Sequence, residues 1–428
     1  MRPSHLFVAT VLAMPLVAVN QPVAVWAAPS RCGGQAATVV GTGGTVKGTS
    51  GDDVIVAEDA QLVRGGRGDD IICVSSTSVG GGSFVVAGAG DDTVYTRGAG
   101  SYYNVGLGPG ADLFVGGRGT SDTVKTGDKG DVAKGLAPSR DVVKGSNGQD
   151  QVTSGVRGSI NTDVVVLRGR QGQVDYAGLP RGRVDLTGDY ASVDFAADEG
   201  AWDLDLGAGP STVDGEAFEL SAPTVDLSKV RWSSLDVRGS ATDETVSIFG
   251  KDTARGPVNV NLRGGADIVN AYAPLSGTVS GGPGDDSLLM RGPVTRSRPV
   301  AAIRARLDNG TVRSEDGTRL DVSGFEGYEL RDYLTVAFQG SSRPEQVFTT
   351  ACVTRIQGGG GADILRGYAL FGRRCAEPQK GVLILGQGGD DRLVGFRGRD
   401  VLIGGRGDDR AVGHEGRDRC SAEAKVTC

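Results

Sequence analysis

Four aspartates near the C-terminus recur at one spacing: Asp391, Asp400, Asp409 and Asp418 follow each other at intervals of nine residues. Glycines precede each of them, and an apolar residue such as Leu393 follows two places later. Carboxylates and main-chain carbonyls are the oxygen ligands that calcium prefers. Glycines let a short loop turn its carbonyls inward. The pattern therefore predicts a row of calcium-binding loops joined by short strands.

One nonapeptide loop cannot supply the six to eight oxygens that a calcium ion takes. If two nonapeptides make one turn of a coil, loops 18 residues apart stack, which predicts the pairs Asp391/Asp409 and Asp400/Asp418. Six loops carry a doubled acid: Asp52-Asp53, Asp69-Asp70, Asp91-Asp92, Asp285-Asp286, Asp390-Asp391 and Asp408-Asp409. Stacked without a cation, these carboxylates would repel each other by several kcal/mol at an effective ε of about 20. We therefore expect the ion to supply folding free energy.

Less regular copies of the same unit occur elsewhere, at residues 51–55, 65–72, 88–94, 108–114, 263–267, 281–286 and 358–363. Between them, the spacings of Asp112, Asp122, Asp131, Asp141 and Asp150 are 10, 9, 10 and 9 residues. Several of these last loops lack glycines, so ordinary turns between strands remain an alternative there.

The middle of the chain loses the glycines but keeps short apolar–polar–apolar strands, from residues 174–176 to residues 258–260. A strand about every ten residues is too closely spaced for βαβ units and indicates a β-helix whose calcium loops have degenerated. A weaker duplication, with an offset of about 100 residues, relates residues 204–246 to residues 307–347 and aligns Glu244 with Glu345.

The glycine–aspartate units resemble the RTX, or hemolysin-type, calcium-binding repeat family, over roughly residues 37–160 and 260–428. The resemblance implies an all-β fold, a parallel β-roll or β-helix solenoid, with Ca²⁺ as its cofactor. It also implies that the second acid of each doubled pair is the ligand. The predicted ligands are Asp53, Asp70, Asp92, Asp112, Asp267, Asp286, Asp363, Asp391, Asp400, Asp409 and Asp418.

The sequence divides into five predicted segments. Residues 1–27 have the positive start, apolar run and small-residue end of a cleaved signal peptide. We then expect an N-terminal calcium-repeat β-roll at 28–160, a degenerate β-helix at 161–260, a β-solenoid with isolated repeat units at 261–350, and a C-terminal calcium-repeat β-roll with a cysteine-rich cap at 351–428. The chain is thus predicted to be secreted, with no membrane span once the signal is removed.

The net charge of the chain limits its expected partners, and its cysteine content predicts disulfides. A net charge of −7 without a basic block argues against nucleic acid, and leaves calcium ions and cell-surface or matrix components as the expected partners. Six cysteines in an exported chain predict disulfides. Fifteen pairings are possible, and sequential pairing, 32–73, 352–375 and 420–428, is the simplest.

The sequence argues against an enzyme. After signal removal only His414 remains of two histidines, which excludes His-based triads and the H-E-x-x-H zinc site. We expect a calcium-binding protein that folds on binding calcium and has a structural or adhesive role. The alternative is a calcium-dependent polysaccharide lyase or glycosidase acting through an exposed row of Asp185, Asp194, Asp205 and Asp226, which would need a basic side chain on the same face.

Overall fold

Every regular element that the computed structural model describes is a β-strand. It describes residues 30–98, 101–118, 120–127, 140–145, 148–169, 171–207, 209–250, 256–272, 274–295, 298–299, 301–370, 375 and 381–428. The predicted signal peptide, residues 1–27, and Asp131 lie outside the described residues. Within them there is no helix that could cross a membrane.

The strands of the first half are β1 (Arg31–Cys32), β2 (Gln35–Ala36), β3 (Val39–Thr42), β4 (Thr45–Lys47), β5 (Val54–Glu58), β6 (Leu62–Arg67), β7 (Ile71–Ser75), β8 (Gly82–Ala89), β9 (Thr93–Arg97), β10 (Tyr102–Gly106), β11 (Leu113–Val115), β12 (Ser121–Lys125), β13 (Val142–Lys144), β14 (Gln151–Asn161), β15 (Val164–Leu167), β16 (Gln173–Pro180), β17 (Arg183–Leu186), β18 (Ser192–Ala196), β19 (Gly200–Asp205), β20 (Ser211–Val213), β21 (Glu216–Ser221) and β22 (Thr224–Asp226).

Those of the second half are β23 (Trp232–Arg238), β24 (Thr245–Phe249), β25 (Val258–Asn261), β26 (Ile268–Tyr272), β27 (Ser276–Ser280), β28 (Ser287–Arg291), β29 (Val294–Thr295), β30 (Arg298–Pro299), β31 (Ala302–Arg306), β32 (Thr311–Ser314), β33 (Arg319–Ser323), β34 (Gly327–Gln339), β35 (Gln346–Gly360), β36 (Ile364–Ala369), β37 (Val382–Gly388), β38 (Arg392–Val394), β39 (Arg397–Gly398), β40 (Val401–Arg406), β41 (Arg410–Val412), β42 (Glu415–Gly416), β43 (Arg419–Ser421) and β44 (Ala424–Val426).

The chain winds as a parallel solenoid with two strands per turn. In the N-terminal part each strand pairs in parallel with the second strand after it, β5 with β7 and β7 with β9 on one side, and β6 with β8 on the other. Side chains alternate along each strand, so that Ile55, Ile72 and Val94 point inward and are fully buried. The predicted all-β parallel solenoid is confirmed.

The C-terminal turns have the predicted length. Leu383 pairs with Val401, and Val401 with Arg419, at an offset of 18 residues. On the other side Leu393 pairs with Ala411 at the same offset. Leu393 and Leu402, the apolar residues that follow the loop aspartates, are buried in the thin core.

Two antiparallel insertions, which the sequence pattern does not predict, interrupt the winding. Strands β19, β20 and β21 form one three-stranded meander, and β31, β32 and β33 form a second. In each meander, the last strand pairs in parallel with a strand of an earlier turn. The first strand pairs in parallel with a strand of a later turn. The faint duplication in the sequence therefore corresponds to a repeated structural unit.

Three disulfides tie the solenoid, in the sequential pairing predicted as the simplest. Cys32–Cys73 links the N-terminal hairpin to β7, and Cys420–Cys428 closes the last turn. The third joins Cys352, within β35, to Cys375. The described chain holds no free cysteine.

Candidate calcium-binding rows

Carboxylates line one edge of the solenoid over its last nine turns. Each lies immediately before a strand, and the strands they precede pair in register. We call this set the C-terminal row: Glu244, Asp267, Asp286, Glu326, Glu345, Asp363, Asp391, Asp409 and Glu423. Stacked parallel strands place these side chains one strand spacing apart, about 4.8 Å.

Hydrogen bonds connect successive members of this row. The backbone N–H of Asp363 donates to Oδ1 of Asp391 at 2.9 Å, and that of Asp391 donates to Oδ1 of Asp409 at 2.9 Å. The same bond, at 2.8 Å, joins Asp267 to Asp286. In these three pairs one oxygen of the second carboxylate is thus held by the preceding turn, as the predicted stacking of Asp391 on Asp409 requires.

In many loop carboxylates, both in this row and elsewhere in the chain, the second oxygen is buried and receives no hydrogen bond from an N–H or alcohol group of the described residues. This is so for Oδ2 of Asp70, Asp92, Asp267, Asp286, Asp363, Asp391, Asp409 and Asp418, and for Oε2 of Glu345. A buried oxygen with negative charge and no donor is costly, because it has lost its water and gained nothing in return. The residues present therefore fit a cation, which would satisfy these oxygens.

Glycine makes room for that arrangement. A Cβ on Gly386 would collide with Oδ2 of Asp391 and with the carbonyl oxygen of Gly404 in the next turn. Gly358 has the same relation to Asp363 and to the carbonyl of Gly386. A carboxylate oxygen of one loop and a carbonyl oxygen of the next thus lie close together. Calcium uses such a mixed set of carboxylate and carbonyl oxygens.

The doubled acids divide into an exposed and a buried member. In all six pairs the first aspartate is exposed and the second is buried. Asp390, for example, accepts the N–H of Asp408 through Oδ1 at 2.9 Å on the outside of the loop, whereas Asp391 points inward. The structure thus places the predicted member of each pair in the interior.

Burial raises the pKa of several of these carboxyls. For Asp363 burial raises the pKa to about 7, and repulsion from Glu345 and Asp391 adds to the effect. Burial likewise raises the pKa of Asp391 to about 6 and that of Asp267 to about 7. Without a counter-ion these groups bind protons near neutral pH, because the folded chain disfavours their charged form.

Among the described residues no three Asp, Glu, His or Cys side chains gather around one point. Side chains alone therefore do not complete a coordination shell. A calcium ion between two turns would draw its remaining ligands from loop carbonyls and water, as the loop chemistry predicts.

The profile of the RTX calcium-binding nonapeptide repeat matches four copies in this chain, over residues 355–369 and 385–420. This chain carries RTX calcium-binding repeats. The repeats bind Ca²⁺. No curated protein matches the chain.

Five of the predicted ligands lie within the matched RTX repeats: Asp363, Asp391, Asp400, Asp409 and Asp418. Asp400 and Asp418 stand on the opposite edge from Asp391, where the N–H of Asp400 donates to Oδ1 of Asp418 at 2.8 Å. Oδ2 of Asp400 accepts the N–H of Phe396 at 3.0 Å. The predicted 18-residue pairing thus also describes this second edge.

Outside the RTX match, a second row runs through the N-terminal turns. We call it the N-terminal row: Asp53, Asp70, Asp92, Asp112, Asp141 and Asp163, each directly before a strand. Its members are linked like those of the C-terminal row, for instance by the N–H of Asp70 donating to Oδ1 of Asp92 at 2.8 Å. Burial raises the pKa of Asp92 to about 7.

Asp53, at the start of this row, differs from the rest. Oδ2 accepts the N–H of Thr49 at 2.6 Å and its hydroxyl at 2.8 Å, and Oδ1 accepts the hydroxyl of Thr38. Burial raises the pKa of Asp53, but these hydrogen bonds outweigh it and the net pKa lies below the usual value. Its charge is therefore already satisfied by protein donors.

The series from Asp112 to Asp150 splits between the two edges. Asp112 donates its N–H to Oδ1 of Asp141 at 2.8 Å, and Asp122 donates to Oδ1 of Asp150 at 3.0 Å. The bonded partners are 29 and 28 residues apart, so these turns are longer than two nonapeptides, and the spacing of nine to ten residues does not determine which aspartates meet. Sequence reasoning did not select Asp141, Asp163 or the glutamates of the C-terminal row, because their loops lack the repeat glycines or the aspartate.

In the middle segment, arginine side chains and not a metal ion neutralise the buried aspartates. Asp185, 7% exposed, accepts hydrogen bonds from Arg168 and Arg183, at 2.9 and 2.7 Å from the two nitrogens of Arg168. Asp205, also 7% exposed, lies 3.4 Å from Arg238 and 3.6 Å from Arg263. The prediction that Asp185 and Asp205 belong to an exposed acidic row is wrong, because arginine side chains cover both carboxylates.

Asp194 and Asp226 remain on the outer face, where their strands pair in register. Asp194 and its other neighbour Asp175 lie 3.9 and 3.7 Å from the ammonium group of Lys229. Burial raises the pKa of Asp194, and repulsion from Asp226 adds to it.

Proposed function

We propose that this chain is a secreted protein whose RTX loops and flanking carboxylate rows need calcium in order to pack, with a structural or adhesive role at a cell surface or in a matrix. The observation that carries the proposal is the set of buried carboxylate oxygens without a hydrogen-bond partner in stacked loops. A calcium ion at each such oxygen removes the burial cost and joins two turns.

Two features support an extracellular location for the chain. Disulfides persist in oxidising compartments outside the cytosol, and the described chain holds three of them. Extracellular calcium modules typically bind at about 10⁻⁴–10⁻³ M, which is far above cytosolic calcium. In this proposal the calcium-dependent ends fold only after the chain has been exported.

We assign calcium chiefly to the two ends of the chain. In this proposal segments 28–160 and 351–428 are calcium-dependent rolls, segment 261–350 continues the C-terminal row, and segment 161–260 folds around its own arginine–aspartate pairs. The ligands are those predicted members of the rows that present a buried carboxylate oxygen, with Asp53 as a protein-satisfied first rung.

The proposal is tested by calorimetric calcium titration of the disulfide-intact chain. The variant Asp391→Asn with Asp409→Asn keeps both Oδ1 acceptors but removes two buried charges. We expect it to bind fewer calcium ions than the wild type. The matched control is Asp390→Asn with Asp408→Asn, which changes the same charge in the same loops on exposed residues, and it should keep the wild-type number. Equal ion counts in the wild type and the buried-site variant would contradict the proposal.

A second candidate function is polysaccharide cleavage on the outer face of β14, β16 and β18. The observation that favours it is Lys229 beside Asp175 and Asp194, next to a shallow groove lined by Gln151 and Gln173. This is the acid–base juxtaposition that such an enzyme would need. Release of shortened saccharides by the wild type, but not by Asp194→Asn, would favour it over a purely structural role.

A further inference from the structure

Two loops share the pattern Gly-Ser-x-x-x-Glu: residues 239–244 and residues 340–345. They correspond to each other in the 100-residue duplication, and each follows an antiparallel insertion. Neither has the glycine–aspartate pattern of the nonapeptide, and both lie outside the residues matched by the RTX profile.

The glutamate of each loop occupies a rung of the C-terminal row. The N–H of Glu345 donates to Oδ1 of Asp363 at 2.8 Å, and that of Glu244 donates to Oδ1 of Asp267 at 2.8 Å. The same bond joins Asp363 to Asp391 within the RTX repeats. The two glutamates are thus connected to the following aspartate as one loop aspartate is to the next.

Serine adapts these loops to the longer side chain. The N–H of Ser341 donates to Oε1 of Glu345 at 3.1 Å, and the Ser341 hydroxyl donates to the same oxygen. Ser240 holds Glu244 through its N–H at 3.2 Å and its hydroxyl. The clamp folds the side chain back over its own loop, so that an extra methylene does not move the carboxylate off the row.

The remaining oxygen of Glu345 has the surroundings of a calcium ligand. Glu345 is 3% exposed, and its buried Oε2 receives no hydrogen bond from the described residues other than the one that the neighbouring Asp363 carboxyl could donate when protonated. A Cβ on Gly340 would lie 2.8 Å from this oxygen and would collide with the carbonyl oxygen of Gly358. Gly386 faces the corresponding pair, Oδ2 of Asp391 and the carbonyl of Gly404.

We propose that residues 340–345 form a glutamate version of the calcium loop, and that a calcium-sized divalent cation binds between Glu345 and Asp363 with the carbonyl of Gly358. The Asp363 side chain, 1% exposed, contacts the Glu345 carboxyl, and its Oδ2 lies close to Gly358, which supplies the carbonyl. The inference rests on the proposed calcium function and extends the cation row by one rung beyond the matched repeats.

The test is a count of bound calcium by native mass spectrometry on the full disulfide-intact chain, together with the melting temperature in calcium and in chelator. Glu345→Gln keeps the Ser341 clamp but removes the charge. We expect one calcium fewer, a higher melting temperature in chelator because a buried charge is gone, and a smaller gain on adding calcium. Glu199→Gln, on an exposed glutamate, should match the wild type.

An unchanged ion count and calcium gain in Glu345→Gln would overturn the inference and leave Glu345 as a loop clamp only. If that variant does not fold, Glu345→Asp decides. It keeps the charge on a shorter side chain and should bind the full count with weaker affinity, whereas wild-type affinity would overturn the site. A wild-type chain that binds no calcium would instead overturn the proposed function itself.

Discussion

At the scale of single residues, the aspartates of the C-terminal row use their two oxygens differently. One oxygen accepts a backbone N–H from the preceding turn, as Asp391 does from Asp363. The other is buried and needs a cation or a proton. Without a cation or a proton, each of these aspartates is an uncompensated buried charge, which is among the costliest defects that a fold can contain.

Protons should partly replace calcium. Burial raises the pKa of Asp92 and Asp363 to about 7 in the folded chain, against about 3.9 when unfolded. Such groups contribute stability that is fully present below about pH 4 and is lost as pH rises through about 7. In chelator we expect the melting temperature to fall between pH 5 and pH 8, as followed by circular dichroism.

Two comparisons check that explanation. Asp92→Asn with Asp363→Asn should make the fall with pH in chelator less steep, since asparagine does not titrate and the other raised carboxyls remain. Saturating calcium should also flatten it for the wild type, because the cation displaces the proton. A chelated wild-type chain that gains stability from pH 5 to pH 8 would show that these carboxyls are not buried as described.

At the scale of the loop, the first glycine of each repeat is required for a steric reason. A Cβ on Gly386 would overlap Oδ2 of Asp391 and the carbonyl of Gly404, whereas one on Gly388 would meet nothing closer than 3.7 Å. We expect Gly386→Ala to lower the free energy of unfolding in calcium by roughly 2 kcal/mol. Gly388→Ala, two residues away, should change it by less than about 0.5 kcal/mol. Denaturant unfolding measures both, and equal effects would contradict the loop geometry.

The sequence predicted the stacking of these loops because their spacing is regular. The nine-residue interval between Asp391 and Asp400, with two strands per turn, determines which loops meet. The glutamate rungs escaped prediction since Glu244 and Glu345 need a serine clamp that only the folded loop reveals. The antiparallel meanders escaped for a similar reason: short alternating strands such as β20 carry no signal for parallel or antiparallel pairing.

At the scale of the molecule, two kinds of counter-ion divide the chain. At the ends successive carboxylates stack on one another, as Asp363 does on Asp391, whereas in the middle Arg168 and Arg183 neutralise Asp185, and Arg238 contributes to Asp205. The middle also has a broader apolar core, where Phe195 packs edge-on against Tyr176 and Trp202 at ring distances of 5.8 and 5.6 Å. From this division we expect a calcium-independent centre between calcium-dependent ends.

Hydrogen–deuterium exchange of the disulfide-intact chain, in millimolar calcium and in chelator, tests this account most directly. We expect the amides of residues 382–418 to be protected in calcium and to exchange rapidly in chelator, because the buried carboxylates then lose their counter-ions. Residues 173–249 should stay protected in both conditions. Equal protection of residues 382–418 with and without calcium would contradict the claim that calcium holds these loops together.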